Sequence, residues 1–175
     1  MSSWLDVALL AVLIVLNGVF AMSEISLVTS RRARLQRLID DKVAGAERAR
    51  ELNADPNRAL STIQVGITSI GILSGIVGES ALARPMEAFL VMVGLSPETA
   101  KAIGLFVVVV LITYFSIVMG ELVPKRIGQI SPERIACRLA PPIHCLSIIA
   151  APFVKLLSAS THLLLKRLGI SETQG

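Results

Sequence analysis

Apolar residues gather in three long runs and one patchy stretch. Leu5 to Met22 is almost entirely apolar apart from Asp6, Asn17 and Gly18, and Arg31-Arg32 ends the run. With its flanks, Trp4 to Thr29 predicts a membrane helix, since about 20 apolar residues cross a bilayer core roughly 30 Å thick. Leu60 to Leu82 is interrupted by Thr62, Gln64, Gly66, Thr68, Ser69, Gly71, Ser74, Gly75 and Gly78. A helix of that kind is poorly suited to face lipid on all sides and belongs against other helices or a hydrated cavity. Ile103 to Val123 is the third run, with an unbroken valine stretch from Val107 to Val110. Ile135 to Leu165 is apolar only in patches and contains Pro141-Pro142 and Pro152. Proline removes a helical hydrogen bond and clashes with the preceding turn, which predicts short helices broken at these positions.

Between these runs the chain is polar, and its charge predicts an orientation. Arg31 to Arg58 holds eight basic and five acidic residues. Leu35, Leu38 and Ile39 give it part of an apolar face, and Ala44 to Leu52 favours helix, so a basic amphipathic segment resting on the membrane surface is expected. Asp55-Pro56-Asn57 and Ser96-Pro97-Glu98 are helix-start signals. Ala83 to Ala102 balances Arg84 and Lys101 against Glu87 and Glu98. The basic bias places Arg31–Arg58 inside and Ala83–Ala102 outside, hence the N-terminus outside and the C-terminus cytoplasmic. A fourth crossing would carry Lys166 and Arg167 outside against that bias, so the expected fold is all-α and integral to the membrane. It has three transmembrane helices plus amphipathic and broken belt helices on the cytoplasmic side.

Candidate chemistry centres on Met119-Gly120-Glu121-Leu122-Val123-Pro124-Lys125-Arg126. Glu121 is a carboxylate at the end of an apolar run, which costs several kcal/mol unless it is paired or coordinated. Pro124 disturbs helical bonding beside it, and freed carbonyls next to a carboxylate make a hard-cation site. The other reading is a frayed helix end with Glu121 paired to Lys125 at i+4. In the first run, Asn17, Gly18 and Ala21 form a small strip for close helix contact. Ser23, Glu24 and Ser26 form either the polar wall of an ion site or two back-bonded hydroxyls and a carboxylate near the headgroups. Gln64, Thr68 and Gly71 fall on one face of the second run, able to supply oxygens and a close approach, or to form a structural polar seam.

Composition supports the membrane reading: 53% hydrophobic and only 17% charged residues, with a mean hydropathy of +0.70. Cys137 and Cys145 show no disulfide or zinc spacing, and His144 and His162 are isolated. The basic segment lacks aromatic platforms or a recognisable motif, so nucleic acid is not an expected partner. No nucleophile–base pair or nucleotide loop points to an enzyme, and no resident cofactor is expected. A lack of basic residues before the first run argues against a signal peptide.

Taken together, the motifs resemble the DUF21 transmembrane domain of CorC-, TlyC- and CNNM-like proteins. The marks are Leu16-Asn17, Ser23-Glu24-Ile25-Ser26-Leu27, Arg31-Arg32-Ala33-Arg34-Leu35 and Asp55-Pro56-Asn57-Arg58. They continue with Ser61-Thr62-Ile63-Gln64-Val65-Gly66-Ile67-Thr68, Gly120-Glu121-Leu122-Val123-Pro124-Lys125, Ser131-Pro132-Glu133-Arg134-Ile135-Ala136 and Ala140-Pro141-Pro142. They cover nearly the whole chain in family order.

The resemblance implies a homodimer in the inner (plasma) membrane, with this domain at residues 1–168. Residues 169–175 would begin a linker to cytoplasmic regulatory domains. It implies Mg²⁺ export coupled to Na⁺ influx, with polyamine export in a related branch. It carries Ser23, Gly120 and Glu121 over as the cation site; Asn17, Glu24, Ser26, Gln64, Thr68 and Gly71 are further pathway candidates from the residue pattern itself. Ala21 and Gly71 stand where many magnesium-associated members have serine and asparagine, and each loses a side-chain oxygen. A membrane anchor or sensor for the regulatory domains is the non-transport alternative.

Overall fold

A computed structural model describes residues 3–168, and their regular structure is helical. The first run forms α1 (Ser3–Thr29), and the basic segment folds into a hairpin of α2 (Arg32–Asp40) and α3 (Ala46–Ala54). The second run forms α4 (Pro56–Gly78), which continues through a π turn (Glu79–Ala83) into α5 (Arg84–Met92). After a short loop come α6 (Pro97–Ile117), a second π turn (Val118–Leu122) and α7 (Val123–Ile130). The chain then enters α8 (Pro132–Arg167). The start signals are where the sequence puts them: Pro56 opens α4, and Ser96 Oγ accepts the Thr99 N–H at 3.3 Å to cap α6. The linker expected at 169–175 lies outside the described residues.

Two expectations are corrected together. The fold is all-α, but four helical stretches, not three, are long and apolar enough to cross a membrane: Trp4–Thr29, Pro56–Met92, Pro97–Ile130 and Pro132–Arg167. The last was expected as short belt helices, yet α8 runs unbroken for 36 residues with Pro141, Pro142 and Pro152 inside it. At about 1.5 Å per residue it is about 54 Å long. Pro141 has no N–H for the Cys137 carbonyl, and the loop before α3 approaches that carbonyl at Gly45. Gly45 has a φ of +80°, and a Cβ there would overlap the Cys137 carbonyl oxygen. Neighbouring chain thus covers the place where the proline weakens the helix, as it does for prolines tolerated in membrane helices.

Packing is strongest at the basic end. Leu35, Ala49 and Leu52 of the hairpin close on Ala136, Cys137 and Ala140 of α8, with Leu27 and Ile63 beneath. Leu38 and Ile39 cover this core, so the predicted apolar face of the basic segment is real. Glu133, buried at the start of α8, accepts the Arg31 N–H at 3.3 Å and lies 3.7 Å from the Arg34 guanidinium. Asn53 donates to the Leu27 carbonyl at 2.9 Å, satisfying an orphan acceptor at the end of α1. Away from this core the long helices expose rows of large apolar residues. Val12 and Val15 on α1, and Phe106, Val109 and Val110 on α6, are typical. Such surfaces on spanning-length helices belong in lipid, and the chain is a multi-pass membrane protein.

Candidate functional site

Both π turns precede a proline by two residues, Pro85 after the first and Pro124 after the second. A proline ring crowds the carbonyl four residues back, and a widened turn relieves that crowding. In the second turn the Val123 N–H reaches back five residues to the Val118 carbonyl. Pro124 has no N–H to give the Gly120 carbonyl, and the side chain of Asn17 on α1 takes its place, Nδ2 donating at 3.0 Å. The disturbance predicted beside Glu121 is therefore present, but the freed carbonyl has a donor.

Close approach of α1 makes that bond possible. A Cβ at Gly18 would stand 2.8 Å from Pro124 Cγ, and one at Gly120 would stand 3.2 Å from Asn17 Nδ2. Ala21 is fully buried in the same seam. The small strip of Asn17, Gly18 and Ala21 is thus the contact surface its residue sizes predict. Because Gly120 presents an acceptor, the Asn17 amide must point its nitrogen there. Its other end, Oδ1, is buried with no hydrogen-bond partner.

One turn further on, two carboxylates share a single ammonium. Lys125 Nζ lies 2.9 Å from Glu121 Oε1 and 3.2 Å from Glu24 Oε2. The pairing of Glu121 with Lys125 was legible as an i+4 spacing. Recruitment of Glu24 from α1 was not, because nothing local in the sequence links the two segments. All three side chains are partly buried. The cluster carries one net negative charge.

The remaining predicted residues divide. Ser23 and Ser26 are buried and back-bonded: Ser23 Oγ donates to the Val19 carbonyl at 2.7 Å and Ser26 Oγ to the Ser23 carbonyl at 3.1 Å. Each hydroxyl oxygen keeps acceptor capacity. Gln64 and Thr68 share an open cavity of about 780 Å³ with Glu24, lined on the α8 side by Phe153, Leu157 and His162. Glu24 therefore stands between this cavity and the Lys125–Glu121 pair. Gly71 is outside both, and a Cβ there would meet nothing within 4 Å. Among the described residues no three His, Cys, Asp or Glu side chains gather to hold a metal ion. A cation here would draw on amide, hydroxyl and backbone oxygens and on water as well as carboxylates. Lys125 as a shared counter-ion and Glu133 as a buried anchor are the residues sequence reasoning missed. Both sit inside motifs read from the sequence, yet their partners lie about a hundred positions away.

Comparison with known proteins agrees with the motifs. The model of the Cyclin M transmembrane N-terminal domain matches residues 8–175. UPF0053 protein sll0260 of Synechocystis is 42% identical over 170 residues, 97% of this chain and 38% of that protein. UPF0053 protein YhdT of Bacillus subtilis is 33% identical over 162 residues, 93% of this chain and 35% of that protein. The Polyamine export protein of Escherichia coli K12 is 31% identical over 142 residues, 81% of this chain and 32% of that protein. The chain spans about a third of the length of these relatives. With its motifs and its family match covering nearly the same residues, the chain belongs to the Cyclin M transmembrane N-terminal domain family, a non-catalytic membrane family.

Proposed function

We propose that this domain is the membrane part of a cation exporter, that its cargo is Mg²⁺, and that Na⁺ influx drives the exchange. The observation that carries the reading is the convergence of Glu24 and Glu121, from helices far apart in sequence, on one cationic group. Two carboxylates on spanning-length helices that share one ammonium keep a net negative charge, and acids on such helices mark ion pathways. Asn17 Oδ1, buried and unpartnered, adds an oxygen that a hard cation can use. Mg²⁺ takes six oxygens and keeps several waters, so two carboxylates, an amide oxygen and a serine hydroxyl form a workable first contact. Lys125 then acts as a tethered cation that holds the acids in register and moves aside when cargo arrives.

A second reading, export of an organic diamine, has its own support. The group bridging the two acids is itself a primary alkylammonium. Neither Ala21 nor Gly71 offers a side-chain oxygen, and a relative bears the name Polyamine export protein. In either reading the domain works as a homodimer, with regulatory domains following α8 in the fuller protein. The basic α2–α3 hairpin faces the cytoplasm.

Calorimetric titration of the purified protein with MgCl₂ and with putrescine tests both. Glu121→Gln is expected to weaken binding of the true cargo at least tenfold while leaving the fold intact, because it deletes charge and keeps size. Unchanged affinity for every bound cation in a folded Glu121→Gln protein would sink the assignment.

A further inference from the structure

At the start of α4, a second cavity of about 350 Å³ opens between that helix and the middle of α8. Its lining is rich in hydrogen-bond donors: the Arg58 guanidinium, the Lys155 ammonium, the Asn57 amide and the hydroxyls of Ser61 and Ser158. Asp55 is the one carboxylate, at the rim before the helix. Arg58 is anchored across the cleft, donating to the Ser147 carbonyl of α8 at 3.4 Å. Neither Arg58 nor Lys155 forms an ion pair among the described residues, although Lys125, Arg34 and Arg48 all do. Two cations and one carboxylate thus line a polar pocket with a net charge of +1, and neither cation is ion-paired to Asp55.

The pocket does not end there. It shares Ser61, Val154 and Ser158 with the larger cavity, which follows α4 past Leu60, Val65 and Ile72 and α8 past Phe153 and Leu157. The result is a groove with a cationic, donor-rich head and a body whose surface is mainly apolar, with Glu24, Gln64 and Thr68 also on its wall. Its head lies where α4 begins, on the same side as the basic hairpin, whose positive charge favours an anionic membrane surface. We propose that this groove binds an anionic phospholipid, its phosphate held by Arg58 and Lys155 and one acyl chain laid between α4 and α8. The chemistry of the head is phosphate recognition by paired cations and hydroxyls. The apolar body commits the occupant to a lipid rather than free phosphate, and the charge balance commits it to an anionic headgroup.

Native mass spectrometry of the detergent-purified protein provides the test, with phosphatidylglycerol, phosphatidylcholine and inorganic phosphate as three separate probes. Phosphatidylglycerol is expected to bind preferentially. The preference should fall about fivefold for each cation removed, and about 25-fold in the Arg58→Gln/Lys155→Gln double variant. Arg48→Gln, on the hairpin surface, should leave it unchanged. Lys155→Gln alone removes an exposed side chain with no role in packing, so its expected fivefold loss is readable even if the double variant fails to fold. Equal binding of both lipids, undiminished phosphatidylglycerol binding in Lys155→Gln, or binding of inorganic phosphate without the lipid would each overturn the proposal.

Discussion

Replacing Lys125 with methionine separates a tethered counter-cation from a structural ion pair. The ammonium bridges Glu121 at 2.9 Å and Glu24 at 3.2 Å, while the three side chains remain about 30–45% exposed. Exposed pairs contribute roughly 0.5 kcal/mol each after solvent screening, so the two together hold Lys125 in place by about 1 kcal/mol. That corresponds to an equilibrium of about five to one in favour of the bridged state. If cargo needs the same carboxylates, its apparent affinity is reduced about fivefold by this competition. Lys125→Met keeps most of the aliphatic stem and removes the competitor. Calorimetry should therefore show cargo binding about fivefold tighter than in the wild type, with thermal stability lower by about 1 kcal/mol or less. If Lys125 only locks the helices together, binding should weaken along with stability. Unchanged or weaker cargo affinity in a folded Lys125→Met protein would refute the competition argument.

Four further outcomes follow from the packing and the charge pattern. Gly128→Ala should destabilise the domain by about 1–3 kcal/mol in detergent melting, since its Cβ would overlap Ile25 and stand 3.0 Å from the Met22 carbonyl. Gly71→Ala, in open space on α4, should be neutral or stabilising by up to about 1 kcal/mol. Glu133→Ala should speed hydrogen exchange in α2 at a cost of about 1–3 kcal/mol, whereas Glu133→Gln, which keeps an acceptor for the Arg31 N–H, should lose less. For orientation, cysteines placed singly at Lys42 and Ser96, with Cys137 and Cys145 removed, should label differently in intact cells. An impermeant thiol reagent should reach position 96 and not position 42, and the reverse pattern would invert the bundle.

Much of this architecture was legible because it depends on local pattern. The first and third runs, the opening of α4 at Pro56 and the Ser96 cap follow from hydropathy and from residues with one strong local preference. The strip of Asn17, Gly18 and Ala21 was readable from side-chain size alone. What failed was the treatment of Pro141, Pro142 and Pro152 as breaks. Proline is costly to an isolated helix, but the loop at Gly45 packs over the Cys137 carbonyl, and that neighbour is invisible in a linear reading. The site was half legible for a similar reason. Pro124 announced a disturbed turn and an i+4 spacing announced Glu121 with Lys125. The reach of Asn17 to Gly120, and of Lys125 to Glu24, depends on how α1 docks against the second π turn. Gln64 and Thr68 do share a cavity with Glu24, but Gly71 lies outside it because helical spacing alone does not say which part of a face the neighbouring helix covers.

Flux through the Glu24–Glu121 site is the central claim, and reconstitution measures it directly. The full-length protein in sealed proteoliposomes, loaded with a Mg²⁺ indicator or supplied with labelled putrescine, should move one of these cations down an imposed ion gradient. A matched Glu121→Gln preparation, equally folded and equally incorporated, should reduce that flux at least tenfold. Movement of neither cation under any gradient, or undiminished flux through Glu121→Gln, would contradict the account.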